Sequence, residues 1–500
     1  MKTNNNNNNN NNNSSPFDVT SGSAIMAKPR ALILLLFGLV IMSIILAKLE
    51  IVGLALLLFL MVGPVYFYIL FKHPIVGFYS AIGVNFLILG VERYIQTDLP
   101  VGFAIDGIMV LTFLAIIFSR FRERVDWSPA NKDITILAGI WLGYCILQLL
   151  NPEARSIEAW IAGRSIGFYF LFFIILTFML INTNKKLDFF LYVWGVFSIL
   201  VSLKGIGQMI FGVDAAEQAW LDAGASQTHV LFGKLRIFSF LSDAGQFGAN
   251  QGYTGVVFII YSISKKGLTK IFFLIVGLLG IYGMMISGTR GAIAVPLAGF
   301  MTYFVLRKNI KVLSAGLLFL ALVFVFFKFT MIANGNAQVR RMRTAFDPND
   351  ASLQVRLDNQ EILKGYLDSR PFGGGIGHAG DKAQRFLPNA FLSHVATDSW
   401  YVMIWAEMGI VGLTLHLIIL LYVIGMASFK IMFRIRDPIT KLKMSALISG
   451  MAGVMIASYG NGIFGQMPTS LLIYASMAIM SNPQIFEEPI IEKESALITS

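Results

Sequence analysis

Long apolar runs recur from one end of this chain to the other, and they constrain its fold more than any other feature. Val312–Phe327 is one such run. Segments of ~17–25 apolar residues can each cross a hydrocarbon core about 30 Å thick. Inside lipid the backbone must satisfy its own hydrogen bonds, so each run is a helix. The fold class is all-α: a polytopic integral membrane protein with about fourteen (12–14) transmembrane helices. The candidate spans lie near 31–47, 51–71, 74–92, 100–119, 134–151, 163–182, 188–212, 249–264, 270–287, 291–307, 311–330, 399–426, 443–460 and 464–481. A chain that is 56% hydrophobic and only 13% charged is not a soluble domain, and the bilayer is its first partner.

Charge fixes the expected orientation. Short cytoplasmic loops collect Lys and Arg. With Lys28 and Arg30 placed in the cytoplasm, alternate junctions carry Lys72, Arg120–Arg124, Lys185–Lys186, Lys265–Lys270, Arg307–Lys311 and Lys430–Lys443. The opposite face receives 92–100, 151–162, 213–248, 288–290, 331–398 and 460–463. Both termini are therefore expected in the cytoplasm, with the long loop 331–398, between the eleventh and twelfth spans, outside. The net charge of +11 belongs to these junctions and implies no nucleic-acid partner. The single cysteine, Cys145, allows no intrachain disulfide.

Three parts are expected. Residues 1–25, which include the Asn4–Asn13 run, are low-complexity and disordered, an extension excluded from the fold. Residues 26–485 form one membrane domain. Residues 486–500 are an acidic cytoplasmic tail.

This topology brings Arg236, Arg290 and Arg356 to the outer face on three loops. They stand in Arg236-Ile-Phe-Ser-Phe-Leu-Ser-Asp-Ala-Gly-Gln-Phe-Gly248, Ser287-Gly-Thr-Arg290-Gly291 and Arg356-Leu357. Arg340, Arg341 and Arg343 add a basic cluster. Guanidinium groups bind phosphate oxygens through paired, charge-assisted contacts. A lone boundary arginine ordinarily snorkels to headgroups. Several arginines in Gly- and Ser-bearing contexts on one face point instead to a shared site for a lipid diphosphate. The loop continues through Pro371-Phe-Gly-Gly-Gly-Ile-Gly377 to Asp398-Ser399 and Glu407-Met-Gly-Ile-Val-Gly412. No Gly-Lys-Ser/Thr follows Gly373–Gly375, so a tight turn with positive φ is expected rather than a nucleotide loop.

Taken in order and with this placement, these four segments resemble the O-antigen ligase and O-antigen polymerase superfamily of bacterial envelope proteins. The resemblance covers roughly residues 190–480. It implies transfer of a glycan from an undecaprenyl-diphosphate carrier to an acceptor hydroxyl, at the outer face of the inner membrane. The acceptor would be another carrier-linked glycan, lipid A-core or a protein hydroxyl. Arginines would stabilise the leaving diphosphate, so no metal or other cofactor is implied. Contacts with other envelope-glycan assembly proteins are expected.

The chain departs from the ligase pattern at one position. Ligases place a histidine nine residues before the Glu of Glu-x-Gly, where this chain has Asp398. The base is therefore Asp398 by alignment or His394 by chemistry, and both would share a face on a continuous helix. The aspartate leans toward a polymerase. Arg290 and Arg356 join these two as catalytic candidates, while Arg236, Arg340, Arg343, His378 and Glu407 are candidate diphosphate or glycan ligands. Glu407 is expected to hold an arginine in place. His229, with 214–233, is expected to shape an entrance, and Asp106 to pair with Arg164. Two other classes compete: a multi-span transporter or lipid flippase, and a non-enzymatic membrane scaffold. A transporter of this size would usually show repeated halves, which are not seen here.

Overall fold

The computed structural model describes residues 60–95, 102–119, 124–231, 233–335, 337–346 and 351–487. The expected span near 31–47, the Asn-rich extension and nearly all of the acidic tail lie outside the described residues. The chain divides into two compact units, Met1–Tyr68 and Ile69–Ser500. The first contributes only residues 60–68 here, within the apolar helix Leu60–Lys72.

The second unit is a helical bundle. In chain order, its principal helices are α1 Ile75–Ile95, α2 Gly102–Ser119, α3 Asp133–Leu147, α4 Ile157–Gly163, α5 Ser165–Leu180 and α6 Asn184–Phe211. They continue as α7 Ala244–Ser262, α8 Gly267–Ile286, α9 Ala294–Leu306, α10 Ile310–Phe329, α11 Ala337–Arg343 and α12 Ala351–Leu367. The last are α13 Trp400–Phe433, α14 Pro438–Ala457 and α15 Thr469–Ser481. Every apolar segment of the sequence that falls among the described residues is a helix. Nine are long and apolar enough to cross a membrane, and shorter apolar helices accompany them. This is a polytopic all-α membrane protein. Among the described residues the only strands are a two-residue antiparallel pair, Val230–Leu231 with Lys234–Leu235.

The centre of the bundle is α7, buried along almost its whole length. It is less apolar than its neighbours because Gln246, Asn250 and Gln251 lie on it, and each finds a partner inside. Ser202 donates to Gln251 at 2.8 Å, and Asn250 donates to Thr469 at 3.3 Å. Glycines let α8 approach closely: a Cβ on Gly280 would lie 2.7 Å from the Gln251 carbonyl oxygen.

Among the described residues, several junctions gather at two ends in the grouping that charge parity predicts for them. At one end, Asp188 receives Lys265 (2.8 Å) and Lys443, and Lys308 lies over the Phe433 ring at 4.1 Å. The Arg436 amide there donates to Glu487 at 2.7 Å. At the other end, Arg370 pairs with Glu153 (3.1 Å) and the Ser156 amide meets His378 (3.1 Å). Gln246 donates there to the Gly462 carbonyl at 3.1 Å. Asp106 and Arg164 pair as expected, Nε to Oδ2 at 2.8 Å, with the guanidinium 4.1 Å above the Phe103 ring.

Candidate active site

Three arginines converge at the end opposite the basic junctions. Arg236 follows the small hairpin; its Nη1 donates to the Thr228 carbonyl and its Nη2 to Thr289 Oγ1, each at 3.2 Å. Thr289 is itself fixed by donation to the Ala244 carbonyl at 2.8 Å. The neighbouring Arg290 reaches Thr344 Oγ1 at 3.1 Å. Arg341, on α11, passes Gly288 so closely that a Cβ there would lie 3.4 Å from its Cδ; Gly288 has φ +58°. Burial lowers the Arg236 pKa, and the adjacent charge of Arg290 lowers it further, against Asp243. Burial, with Arg236 and Arg290 beside it, brings Arg341 down to about 10. Neither Arg236 nor Arg341 has a carboxylate at ion-pair distance among the described residues.

Two buried donors here lack an acceptor: Arg236 Nε and Asn461 Nδ2. Asn461 stands in the link between α14 and α15, where a Cβ on Gly291 would fall 2.1 Å from its Nδ2. Gathered positive charge and unanswered N–H groups, both costly when buried, are the inverse image of a polyanion.

The same link carries the site onward. The Trp400 amide donates to the Ser458 carbonyl at 3.0 Å and the Asn461 carbonyl at 3.3 Å. Two residues earlier, Asp398 is exposed and meets Arg356, Nε to Oδ2 at 3.4 Å. Arg356 thus faces the candidate base. His394 is not on a helix with Asp398: it sits in a 3₁₀ turn, Phe391–His394, and α13 begins only at Trp400. It is exposed, with Nε2 2.7 Å from the Pro388 carbonyl oxygen.

The glycine turn and the Glu-x-Gly segment prove to be one device. Gly373, Gly375 and Gly377 have φ of +73°, +99° and +78°, as a tight turn requires. Inside α13 Gly409 also has positive φ (+68°), which interrupts the helix and frees the carbonyls of Ala406 and Glu407. The amides of Gly374 and Gly375 donate to them at 2.9 and 2.8 Å. Glu407 is thereby buried, with the backbone amides of Gly377 and Ala379 donating toward its carboxylate. Its Oε2 has no partner, and it holds no arginine among the described residues. Beside it opens a cavity of about 310 Å³ bordered by Asp398, Thr397, Lys382 and Gln466.

The remaining candidates sit apart from this centre. His378 is buried with both ring nitrogens in use: Nε2 accepts from the Ser156 amide at 3.1 Å, so Nδ1 donates to the Ile376 carbonyl at 2.9 Å. Arg340 donates to the Asn334 carbonyl (3.0 Å) and Arg343 to the Ile332 carbonyl (2.6 Å), bracing the start of the long loop. His229 faces inward, its ring 4.8 Å from that of Trp220. Sequence reasoning did not single out Arg341 from its cluster and missed Asn461. The available signal for Asn461 was an amide between two glycines, Gly460-Asn-Gly462, in a very short interhelical link.

These features define a multi-span helical membrane protein with three gathered arginines at one end of its bundle and, at the same end, an exposed carboxylate that borders a cavity. Residues 273–417 match the family described as O-antigen ligase. The chain is 24% identical over 339 residues to an O-antigen polymerase of Salmonella muenchen, covering 64% of this chain and 81% of that protein. It is 20% identical over 396 residues to the teichuronic acid biosynthesis protein TuaE of Bacillus subtilis (strain 168), covering 75% of this chain and 78% of that protein. These likenesses support the resemblance of the chain to the O-antigen ligase and polymerase superfamily.

Proposed function

We propose that this protein transfers a glycan from an undecaprenyl-diphosphate carrier to an acceptor hydroxyl, working as a glycan polymerase at the outer face of the bacterial inner membrane. The observation that carries this reading is the meeting of Arg236, Arg290 and Arg341 beside two buried, unanswered donors. A lipid diphosphate supplies the acceptor oxygens that those two donors lack and the negative charge that gathered arginines favour. The acceptor oxygen attacks the anomeric carbon and forms the new glycosidic bond. The bond from that carbon to the phosphate oxygen breaks, and its electron pair leaves with the lipid diphosphate. The arginines stabilise that growing charge, which is why the chemistry needs no metal. The hydroxyl proton passes to Asp398, whose carboxylate Arg356 orients. The polymerase mode is supported by Asp398, where ligases carry histidine, and by the likeness to an O-antigen polymerase.

The test is reconstitution of the purified protein in liposomes with a carrier-diphosphate-linked repeat unit. Elongated carrier-linked glycans that disappear in Arg290→Ala are expected. Undiminished elongation in that variant at normal protein level overturns the diphosphate site. Movement of the intact lipid between leaflets without any glycosidic bond formed would instead identify a flippase.

A further inference from the structure

The cavity beside Asp398 is separate from the arginine cluster. None of Arg236, Arg290, Arg341 or Arg356 lines it. The link 460–466 runs between the two: Asn461 looks toward Gly291 and the arginines, whereas Gly465 and Gln466 line the cavity. Asp398 borders the cavity and also lies against this link: a Cβ on Gly462, next to Asn461, would fall 4.0 Å from the Asp398 carbonyl oxygen.

The cavity has a definite chemistry. Its volume, about 310 Å³, is at the small end for ligand pockets (~300–1,000 Å³) and suits one or two small rings. At its base is Glu407, 4% exposed, with Oε2 unpartnered. Trp400 and Met403 supply apolar wall, and Thr397 and Gln466 supply neutral polar groups. Asp381, Asp398 and Glu407 face a single cation, Lys382, so the lining disfavours a negatively charged occupant. A buried carboxyl group, an aromatic wall and neutral amide and hydroxyl groups together match a pyranose ring with free vicinal hydroxyls.

We propose that this cavity is the acceptor subsite. It receives the terminal, uncharged or amino sugar of the acceptor glycan; Glu407 accepts from a hydroxyl next to the attacking one and so presents the attacking oxygen to Asp398. This inference rests on the glycan-transfer reading above and adds to it the class of acceptor and the residue that selects it.

The experiment measures initial transfer rates against acceptor concentration in the reconstituted protein, together with binding of undecaprenyl diphosphate alone. Glu407→Gln removes the acceptor carboxylate while keeping its shape. Ala162→Trp narrows the mouth at an exposed position. Both should raise the acceptor KM by about 10- to 100-fold, the worth of a charge-assisted hydrogen bond or an obstructed site. Affinity for the carrier diphosphate should stay within about twofold, well inside the factor of ten that 1.4 kcal/mol represents. An acceptor lacking the neighbouring hydroxyl should react poorly with the wild type, and Glu407→Gln should no longer distinguish it from the full acceptor. A wild-type acceptor KM in both variants, with both folded, overturns the subsite and leaves the transfer reading standing. Loss of carrier binding in Ala162→Trp also overturns it, by assigning the cavity to the donor. Absence of transfer by the wild type, with carrier still bound, overturns the reading beneath it.

Discussion

Gly409 and Pro371 come so close that a Cβ on Gly409 would lie 2.0 Å from the Pro371 carbonyl oxygen. At φ +68° and ψ −173°, Gly409 also occupies a region that only glycine tolerates well. The break in α13 and the turn 371–377 depend on each other, because the turn's amides satisfy the carbonyls that the break releases. Gly409→Ala adds backbone strain of roughly 1–3 kcal/mol and a clash with backbone that cannot rotate away. The expected result is a large fall in folded protein recovered from membranes, with transfer lost from what remains. Gly425, in the same helix with open space around its Cβ position, should accept alanine with an unchanged melting profile in detergent.

The arginine cluster carries an opposite expectation. Like charges held together oppose folding in the absence of a ligand. Arg341→Gln should therefore raise the melting temperature of the ligand-free protein while reducing transfer by about 10²–10³, the usual effect of removing one donor to a developing anion. Adding undecaprenyl diphosphate should raise the melting temperature of the wild type and much less that of Arg341→Gln. Thermal melts with and without the lipid read both effects in one series.

The helices were legible because membrane solvation makes an apolar run and a helix nearly synonymous. The sorting of junctions into two ends was legible because charge parity is a long-range signal carried by short loops. Individual residues of the site were less so. Arg236 and Arg290 were found from their Gly- and Ser-bearing settings, and they do meet. Arg356 shares a face with them but turns to Asp398, a choice made by side-chain packing that one sequence cannot display. Arg341 outranks Arg340 and Arg343 only because α11 directs it past Gly288. The interruption at Gly409 was hidden for a physical reason. Its cost is offset by a turn some thirty residues earlier in the chain, so the local sequence reads as an unbroken apolar helix.

His378 gives a pH dependence whose sign follows from its burial. Burial lowers its pKa below the ordinary 6.5, against the opposing bond to the Ile376 carbonyl. Protonation therefore favours the unfolded chain. The stability is fully present above about pH 6.5 and is lost as the pH falls through the lower folded value, with a slope of up to ~1.4 kcal/mol per pH unit for one proton. His229, lowered chiefly by burial too, acts in the same direction. Melting temperature should be flat above about pH 7 and decline below 6.5. His378→Gln should make that decline shallower, while lowering stability at neutral pH by about 1–3 kcal/mol through its lost hydrogen bonds. An unchanged acid profile would mean that the imidazole does not enter the folded state neutral.

The pair Arg356 and Asp398 separates chemistry from architecture. At 3.4 Å, with side chains 31% and 54% exposed, it contributes little to stability, since exposed pairs typically give under ~1 kcal/mol. Its place at the edge of the proposed acceptor cavity is what gives it consequence. Asp398→Asn keeps the shape but cannot take a proton, so turnover should fall by about 10²–10⁴ with carrier binding and melting temperature intact. Arg356→Gln leaves the carboxylate present but free to rotate. It should lower turnover by a smaller factor, and in the double variant the Arg356 change should have little further effect, because a residue that orients a base has nothing to orient once the base is gone. Rate measurements on the four members of this cycle decide the matter. Additive losses would mean that Arg356 acts on the diphosphate directly, in concert with Arg236 and Arg290, rather than through Asp398.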